Sequence, residues 1–287
     1  MLASPTRPSP VPSNKTVKIE PDLVEKPLRK LRKMLDIFPD NPLPEEVHAL
    51  RTHTRRLEAT ISALVIERSK QPRRVLKLIT PVRKAAGKVR DMDVLIEDVL
   101  TLKETQKGDT LVQLVEYLAK MRAKNAKRLQ GAVSKRREET KTCLKQLSKQ
   151  LRKRLKDDSG TLNGNAAPQI LITELTHWPT LSAENLHLFR LRIKELRYML
   201  ELSNKPNAKW IARLGDVKDS IGKWHDWVEL LKIAKRVLNQ GEDGGVLQRI
   251  ENVTEEKFHI ALTASNLIRK QIFEPSRNGR AAAMGAG

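Results

Sequence analysis

His48-Ala-Leu-Arg51-Thr-His53-Thr-Arg55-Arg56-Leu57 and His187-Leu-Phe-Arg190-Leu-Arg-Ile-Lys194-Glu195-Leu196-Arg197-Tyr198 share one pattern. Each sets a histidine, an arginine three residues on, and a further cation four residues beyond that. A helix turns 100° per residue, so His48, Arg51 and Arg55 fall within about 60° of arc, as do His187, Arg190 and Lys194. Phe189, Ile193, Leu196 and Leu200 occupy the face beside the second cationic row, and Val47, Leu50, Leu57, Ile61 and Leu64 recur at helical spacing around the first. Each segment reads as a helix that is half core and half cationic groove.

Downstream of each lies a second matching pair, Gly87-Lys88-Val-Arg90-Asp91-Met-Asp93-Val94 and Gly222-Lys223-Trp-His225-Asp226-Trp-Val228. Gly87 follows His48 by 39 residues and Gly222 follows His187 by 35. Two motifs in the same order at similar distance indicate an internal duplication. The glycines suit helix ends, and Asp91 and Asp226 suit N-caps of the helices that follow, a structural rather than catalytic use of those carboxylates.

Working outward, Leu23 to Phe38 predicts a short basic helix closed by Pro39, Pro42 and Pro44, after which the main body begins with Glu45 and Glu46 in a helix's first turn. Pro72 and Pro81 each fit near a helix start. Thr110 to Lys156 predicts one long helix, with Leu144, Leu147, Leu151 and Leu155 on its inner face. Between Lys120 and Lys156 it carries fifteen basic residues against Glu138 and Glu139, either a solvated face or a phosphate-binding stripe. Residues 157–168, DDSGTLNGNAAP, interrupt the pattern and mark the midpoint. Further helices are expected at about 182–203, 207–221, 226–239 and 244–272. Nothing alternates with period two long enough to build a sheet, so the body reads as all-α. Residues 1–18 and 276–287 read as flexible tails around a folded region at 19–275, with halves at about 44–157 and 168–275.

The chain has 287 residues, with 55 Lys or Arg against 34 Asp or Glu, a formal charge of +21. Such an excess narrows the partner to polyanions. Aromatic residues are only 3% of the chain, which disfavours surfaces that stack many bases on exposed rings. Cys143 is the sole cysteine, so no intrachain disulfide or multi-cysteine zinc module can form, as fits a reducing compartment. With no apolar run near the ~18 residues of a membrane span, and no signal-peptide pattern, the expectation is a soluble, cytoplasmic protein.

These motifs resemble the CHAD family of α-helical domains. The resemblance runs over about residues 44–270 and is carried by the helix at His48–Leu57, the turn at Arg90–Val94, the helix at His187–Tyr198 and the turn at Gly222–Asp226. Any one alone is weak; four in order are specific. Glu58 and Glu195 stand where the family has a basic residue, and Lys218 replaces its usual Gln before Asp219. The resemblance implies two four-helix bundles related by a pseudo-twofold axis around a basic central channel, with inorganic polyphosphate as the ligand. It further implies that the channel is lined by His48, Arg51, Arg55, Arg56, Arg83, Lys84, Lys88, Arg90, His187, Arg190, Lys194, Arg197, Tyr198, Lys218, Lys223 and His225. Many relatives carry a CYTH domain, whose ExExK signature is absent here, so the chain looks like the stand-alone form. Such a ligand would draw it to polyphosphate granules.

The chemistry agrees with that implication. A phosphate chain offers anionic oxygens and no bases, and Arg supplies a planar fork of donors for them. His48, His187 and His225 donate from both ring nitrogens only when protonated, which a polyanion favours and neighbouring arginines oppose. Surface Arg and Lys are expected to stay charged throughout the neutral range, leaving the histidines to set any pH dependence. His53, His177 and His259 match neither motif and read as structural. Two rivals belong to other classes. One is an RNA or DNA binder held by phosphate contacts, although no base-reading module is visible. The other is a metal phosphohydrolase built on His225-Asp226. Its repeat counterpart Arg90 is a poor metal ligand, and no P-loop or G-x-S-x-G elbow is present. The expectation is a binder rather than an enzyme, with no cofactor and no bound metal.

Overall fold

A computed structural model describes residues 21–63, 70–102, 108–157, 166–201, 207–238 and 244–270. The expected tails at 1–18 and 276–287, Leu64 and most of the 157–168 interruption lie outside them. Eight helices and no strand occur among the described residues: α1 (Pro21–Ile37), α2 (Pro44–Ala63), α3 (Lys70–Leu100), α4 (Gly108–Asp157), α5 (Ala166–Thr176), α6 (Leu186–Glu201), α7 (Ala208–Val237) and α8 (Gly244–Ile268). No helix among them is long and apolar enough to cross a membrane.

The buried residues fall into three clusters. Leu28, Leu31, Leu35 and Phe38 of α1 join Val47, Leu50, Leu57 and Ile61 of α2, the first part of α3, and Leu144, Leu147 and Leu151 of α4. Thus α1 belongs to the first core, ahead of the start at 44 that the sequence suggested. Phe189, Ile193 and Leu196 of α6 pack with Trp210, Leu214 and Ile221 of α7 and with residues of α5 and α8. The third cluster joins the halves. Leu95, Val99, Leu114 and Leu118, where α3 passes to α4, meet Trp227, Leu230, Leu247 and Ile250, where α7 passes to α8. Alongside this seam α2 packs on α6 and α3 on α7.

Four local expectations are corrected. Gly87 and Gly222 do not end helices, and Asp91 and Asp226 cap none, because α3 and α7 run straight through both motifs. The helices expected at 207–221 and 226–239 are one. Instead of making a turn, Gly222 leaves room for an arginine lying across the helix, whereas Gly87 is only in ordinary contact with one. A Cβ on Gly222 would sit 2.7 Å from Nη2 of Arg190, and one on Gly87 would sit 3.7 Å from Nε of Arg51. Pro81 lies inside α3 rather than near its start. The lost backbone hydrogen bond costs about 3 kcal/mol, and the buried row Val75, Leu78, Ile79, Val82, Ala86 and Val89 on either side outweighs it. Finally, α5 was not foreseen: its apolar run Ile170-Leu171-Ile172 has no clear helical period, and Ile170 is 66% exposed.

Part of the basic stripe on α4 is structural. Arg122 bridges to Asp93 at 2.6 Å and donates to the carbonyl of Pro42, Arg137 donates to the carbonyl of Phe38, Lys141 pairs with Asp36 at 2.5 Å, and Arg152 pairs with Glu25. Lys124, Lys127, Arg128, Lys135, Lys145 and Lys149 remain exposed on the outer surface. The side chains of Leu155 and Lys156 lie outside the described residues.

The Asp93 carboxylate is only 3% exposed. Removing its partner strands a buried charge, so Arg122→Ala should lower the free energy of unfolding by about 3 kcal/mol. Lys120→Ala, which removes an exposed pair with Glu116, should change it by less than about 0.5 kcal/mol. Urea unfolding followed by circular dichroism checks both.

Candidate functional site

The α2–α6 contact brings the two cationic rows face to face. Arg51 lies within electrostatic reach of Arg190, Tyr198 and Arg83, and Lys194 within reach of Arg55, Arg190, Arg51 and Lys218. Hydrophobic packing forces this approach: Leu50 and Leu57 on α2, and Phe189, Ile193 and Leu196 on α6, are fully buried beside the cations. Arg190 is further held by a hydrogen bond from Nε to the Lys218 carbonyl, 3.1 Å. Among the described residues, no carboxylate forms an ion pair with Arg51, Arg55, Arg190 or Lys194.

The electrostatic consequences are large. Burial, reinforced by Arg51, pushes Arg55 down to about 10, still charged at neutral pH. Burial, then Arg55, Arg190 and Arg51, pushes Lys194 down to about 6, although the side chain keeps some solvent access. Its amine is therefore mostly neutral at pH 7, so the part-buried Lys194 differs from the surface cations, which stay charged in the sequence reading. Partial burial first, then Arg90 and Arg51, lowers His48; burial first, then His225 and Arg190, lowers His187. In the free protein both imidazoles are held neutral, the direction that the sequence left open.

Other expected site residues are arranged differently. His187 and His225 stack with ring centroids 4.8 Å apart, and Nδ1 of His187 is buried with no hydrogen-bond partner. Arg83 is bound at 2.7 Å by Glu58, the acidic residue that stands in a family-basic position. Lys223 is bound to Asp98, whose side chain is 1% exposed. Arg197 pairs with Glu201 at 2.9 Å, Arg90 with Glu97 at 3.2 Å and Lys218 with Asp219 at 2.5 Å. Lys84 and Lys88 are exposed on α3 with no side-chain partner among the described residues. Arg56 is one residue past Arg55, a 100° step that carries it off the shared face. It lines a separate crevice with His53, Lys26 and Lys30. Tyr198 stands between the two, with Lys194 Nζ 5.9 Å from its ring centroid.

Reading the aspartates as caps missed their role at the site. The Asp91 side chain still meets solvent, yet the protein packed around it raises its pKa; Arg51 opposes that shift, and Asp226 adds to it. The carboxylates of α3 and α7 thus lie in one field. The signal was available in their i+1 position after Arg90 and His225. His225 and Asp226 are 3.9 Å apart. Among the described residues, no three His, Cys, Asp or Glu side chains converge as a metal site would require.

The CHAD domain model matches residues 23–234. The chain belongs to the CHAD family. The crystal structure of the CHAD domain from the plant Ricinus communis superposes with a TM-score of 0.65 at 17% identity, covering 93% of this chain and 96% of that one. The CHAD match begins inside α1, consistent with that helix's place in the first core. No curated protein matches the chain.

The Lys194 amine should be visible directly. With lysines reductively methylated using a carbon-13 label, one dimethylamine resonance should titrate near pH 6, and it should vanish in Lys194→Met.

Proposed function

We propose that this CHAD domain binds inorganic polyphosphate without hydrolysing it, in a basic channel where α2 and α3 meet α6 and α7. On this reading the chain is two four-helix units, α1–α4 and α5–α8, related by a pseudo-twofold axis that pairs Arg51 with Arg190 and Gly87 with Gly222. The observation that carries the reading is the cluster of Arg51, Arg55, Arg190 and Lys194, which among the described residues holds no carboxylate in an ion pair; burial first, and then the neighbouring arginines, push Lys194 down to about 6. A protein has no structural reason to hold like charges together at that cost; a linear polyanion supplies the missing counter-charge along the length of the cluster. Lys84, Lys88 and Arg90 at the exposed edge extend it, with His48, His187 and His225 as further donors. Polyphosphate granules in the cytoplasm are the expected location.

Titration of the purified protein with polyphosphate at several salt concentrations tests the proposal. Affinity should fall steeply with salt, as counterion release dictates for other polyanions. Excess RNA at fixed salt should compete poorly, and no orthophosphate should be released with or without a chelator. Arg51→Ala and Arg190→Ala should each weaken binding by ten- to a hundredfold, the worth of about 1.5–3 kcal/mol for a charged hydrogen bond. The double variant should lose more than either. Gly222→Ala should mimic Arg190→Ala, because the new methyl displaces the guanidinium, whereas Gly87→Ala should have little effect.

The pH dependence follows from the lowered groups. His48, His187 and Lys194 sit below their ordinary values in the free protein, and bound phosphate raises all three. Binding therefore takes up protons, so affinity should rise as pH falls from about 8 to 6. Replacing His48, His187 and His225 together with Gln should reduce the slope and leave a remainder carried by Lys194. Isothermal titration calorimetry in buffers of different ionisation enthalpy measures the proton uptake.

A further inference from the structure

The crevice that receives Arg56 has a volume of about 220 Å³ and is bounded by α1, α2 and α6. Lys26 and Lys30 stand one turn apart on α1, and His53 and Arg56 face them from α2. Among the described residues, Lys26, Lys30 and Arg56 form no ion pair. The one carboxylate in the lining, Glu201, is already engaged by Arg197 at 2.9 Å. Nδ1 of His53 is closed off from water with no hydrogen-bond partner. Burial first, then Lys30 and Arg56, lowers the His53 pKa. Three unmatched cations thus surround an open space, with His53 in its wall. Tyr198 belongs both to this lining and to the surroundings of Arg51, Arg55 and Lys194, so crevice and cluster share a wall.

We infer that this crevice is a second anion subsite, in which Lys26, Lys30, Arg56 and His53 hold the part of a polyphosphate chain that emerges past Tyr198. The inference rests on the polyphosphate reading and adds a chain-length preference to it. A short chain fills only the Arg51–Arg190 cluster. A long chain fills the cluster and then the crevice, gaining the second site as a tethered, effectively intramolecular contact. α1 is thereby a binding element as well as part of the core.

The test compares tripolyphosphate with chains of about a hundred phosphates on the full protein. Lys26 and Lys30 are exposed, so Lys26→Ala/Lys30→Ala should fold normally. Its affinity for the long chain should drop about tenfold, with tripolyphosphate affinity unchanged. Lys145→Ala/Lys149→Ala on the outer face of α4 removes the same charge and should alter neither affinity by more than about twofold. In NMR spectra the His53 ring signals should shift with the long chain and stay still with tripolyphosphate. Equal loss for both lengths, an equal loss in the α4 control, or His53 signals that ignore the long chain would overturn the subsite while leaving the polyphosphate reading intact. Wild-type protein that binds neither length would remove the reading itself, and the subsite with it.

Discussion

The approach of α2 to α6 holds like charges together, and much of the structure depends on how that repulsion is borne. Arg51, Arg55, Arg190 and Lys194 meet because the apolar residues beside them must be buried. Leu50, Leu57, Phe189, Ile193 and Leu196 lose their exposed surface only if the two helices pack where they do. The cations travel with the backbone. Part of the repulsion is relieved by a proton leaving Lys194, and part by carboxylates at the edges, with Glu58 on Arg83 and Asp98 on Lys223. The remainder stays as positive field at the contact, available to a ligand.

This division explains why charge is sorted so unevenly along the chain. Cations that do structural work have acidic or carbonyl partners on another helix or on the α1–α2 connection: Arg122 on Asp93 and the Pro42 carbonyl, Arg137 on the Phe38 carbonyl, Arg152 on Glu25. Among the described residues, Arg51, Arg55, Arg190 and Lys194 at the α2–α6 contact form no ion pair with a carboxylate. Their arginines are steadied by shape, with Arg190 laid across Gly222 and bonded to the Lys218 carbonyl. A guanidinium fixed by packing and by a carbonyl keeps its full charge, whereas one fixed by a carboxylate would offer little to an anion. Gly222 is therefore a positioning residue. Its lack of a side chain sets where the Arg190 fork can lie.

The third hydrophobic cluster has a related consequence. Leu95, Val99, Leu114, Trp227, Leu230 and Leu247 bind the end of the α3–α4 pair to the end of the α7–α8 pair. That seam gives the two halves a shared core at one end, and α2 on α6 meets beyond it. A site formed between halves needs such a clamp, since the charges at the contact push the halves apart. The buried Asp98, which binds Lys223 across from α3 to α7, adds a polar tie between the seam and the motif residues.

The sequence by itself determined the helical class and the facing of each cationic row, because 3.6-residue periodicity is a property of a single helix. His48, Arg51 and Arg55, and equally His187, Arg190 and Lys194, were legible for that reason. That α3 and α7 continue through Gly87 and Gly222 was decided by tertiary packing, and at Gly222 the missing side chain leaves space for Arg190 from the neighbouring helix. The same holds for the charge state of Lys194, which depends first on its burial and then on four cations from α2, α6 and α7, and for Glu58 on Arg83, a pair separated by 25 residues. The role of Arg56 and His53 turned on α1, whose place against α2 and α6 no motif encodes. Burial and electrostatic field are sums over neighbours in space, and only the folded chain decides which neighbours those are.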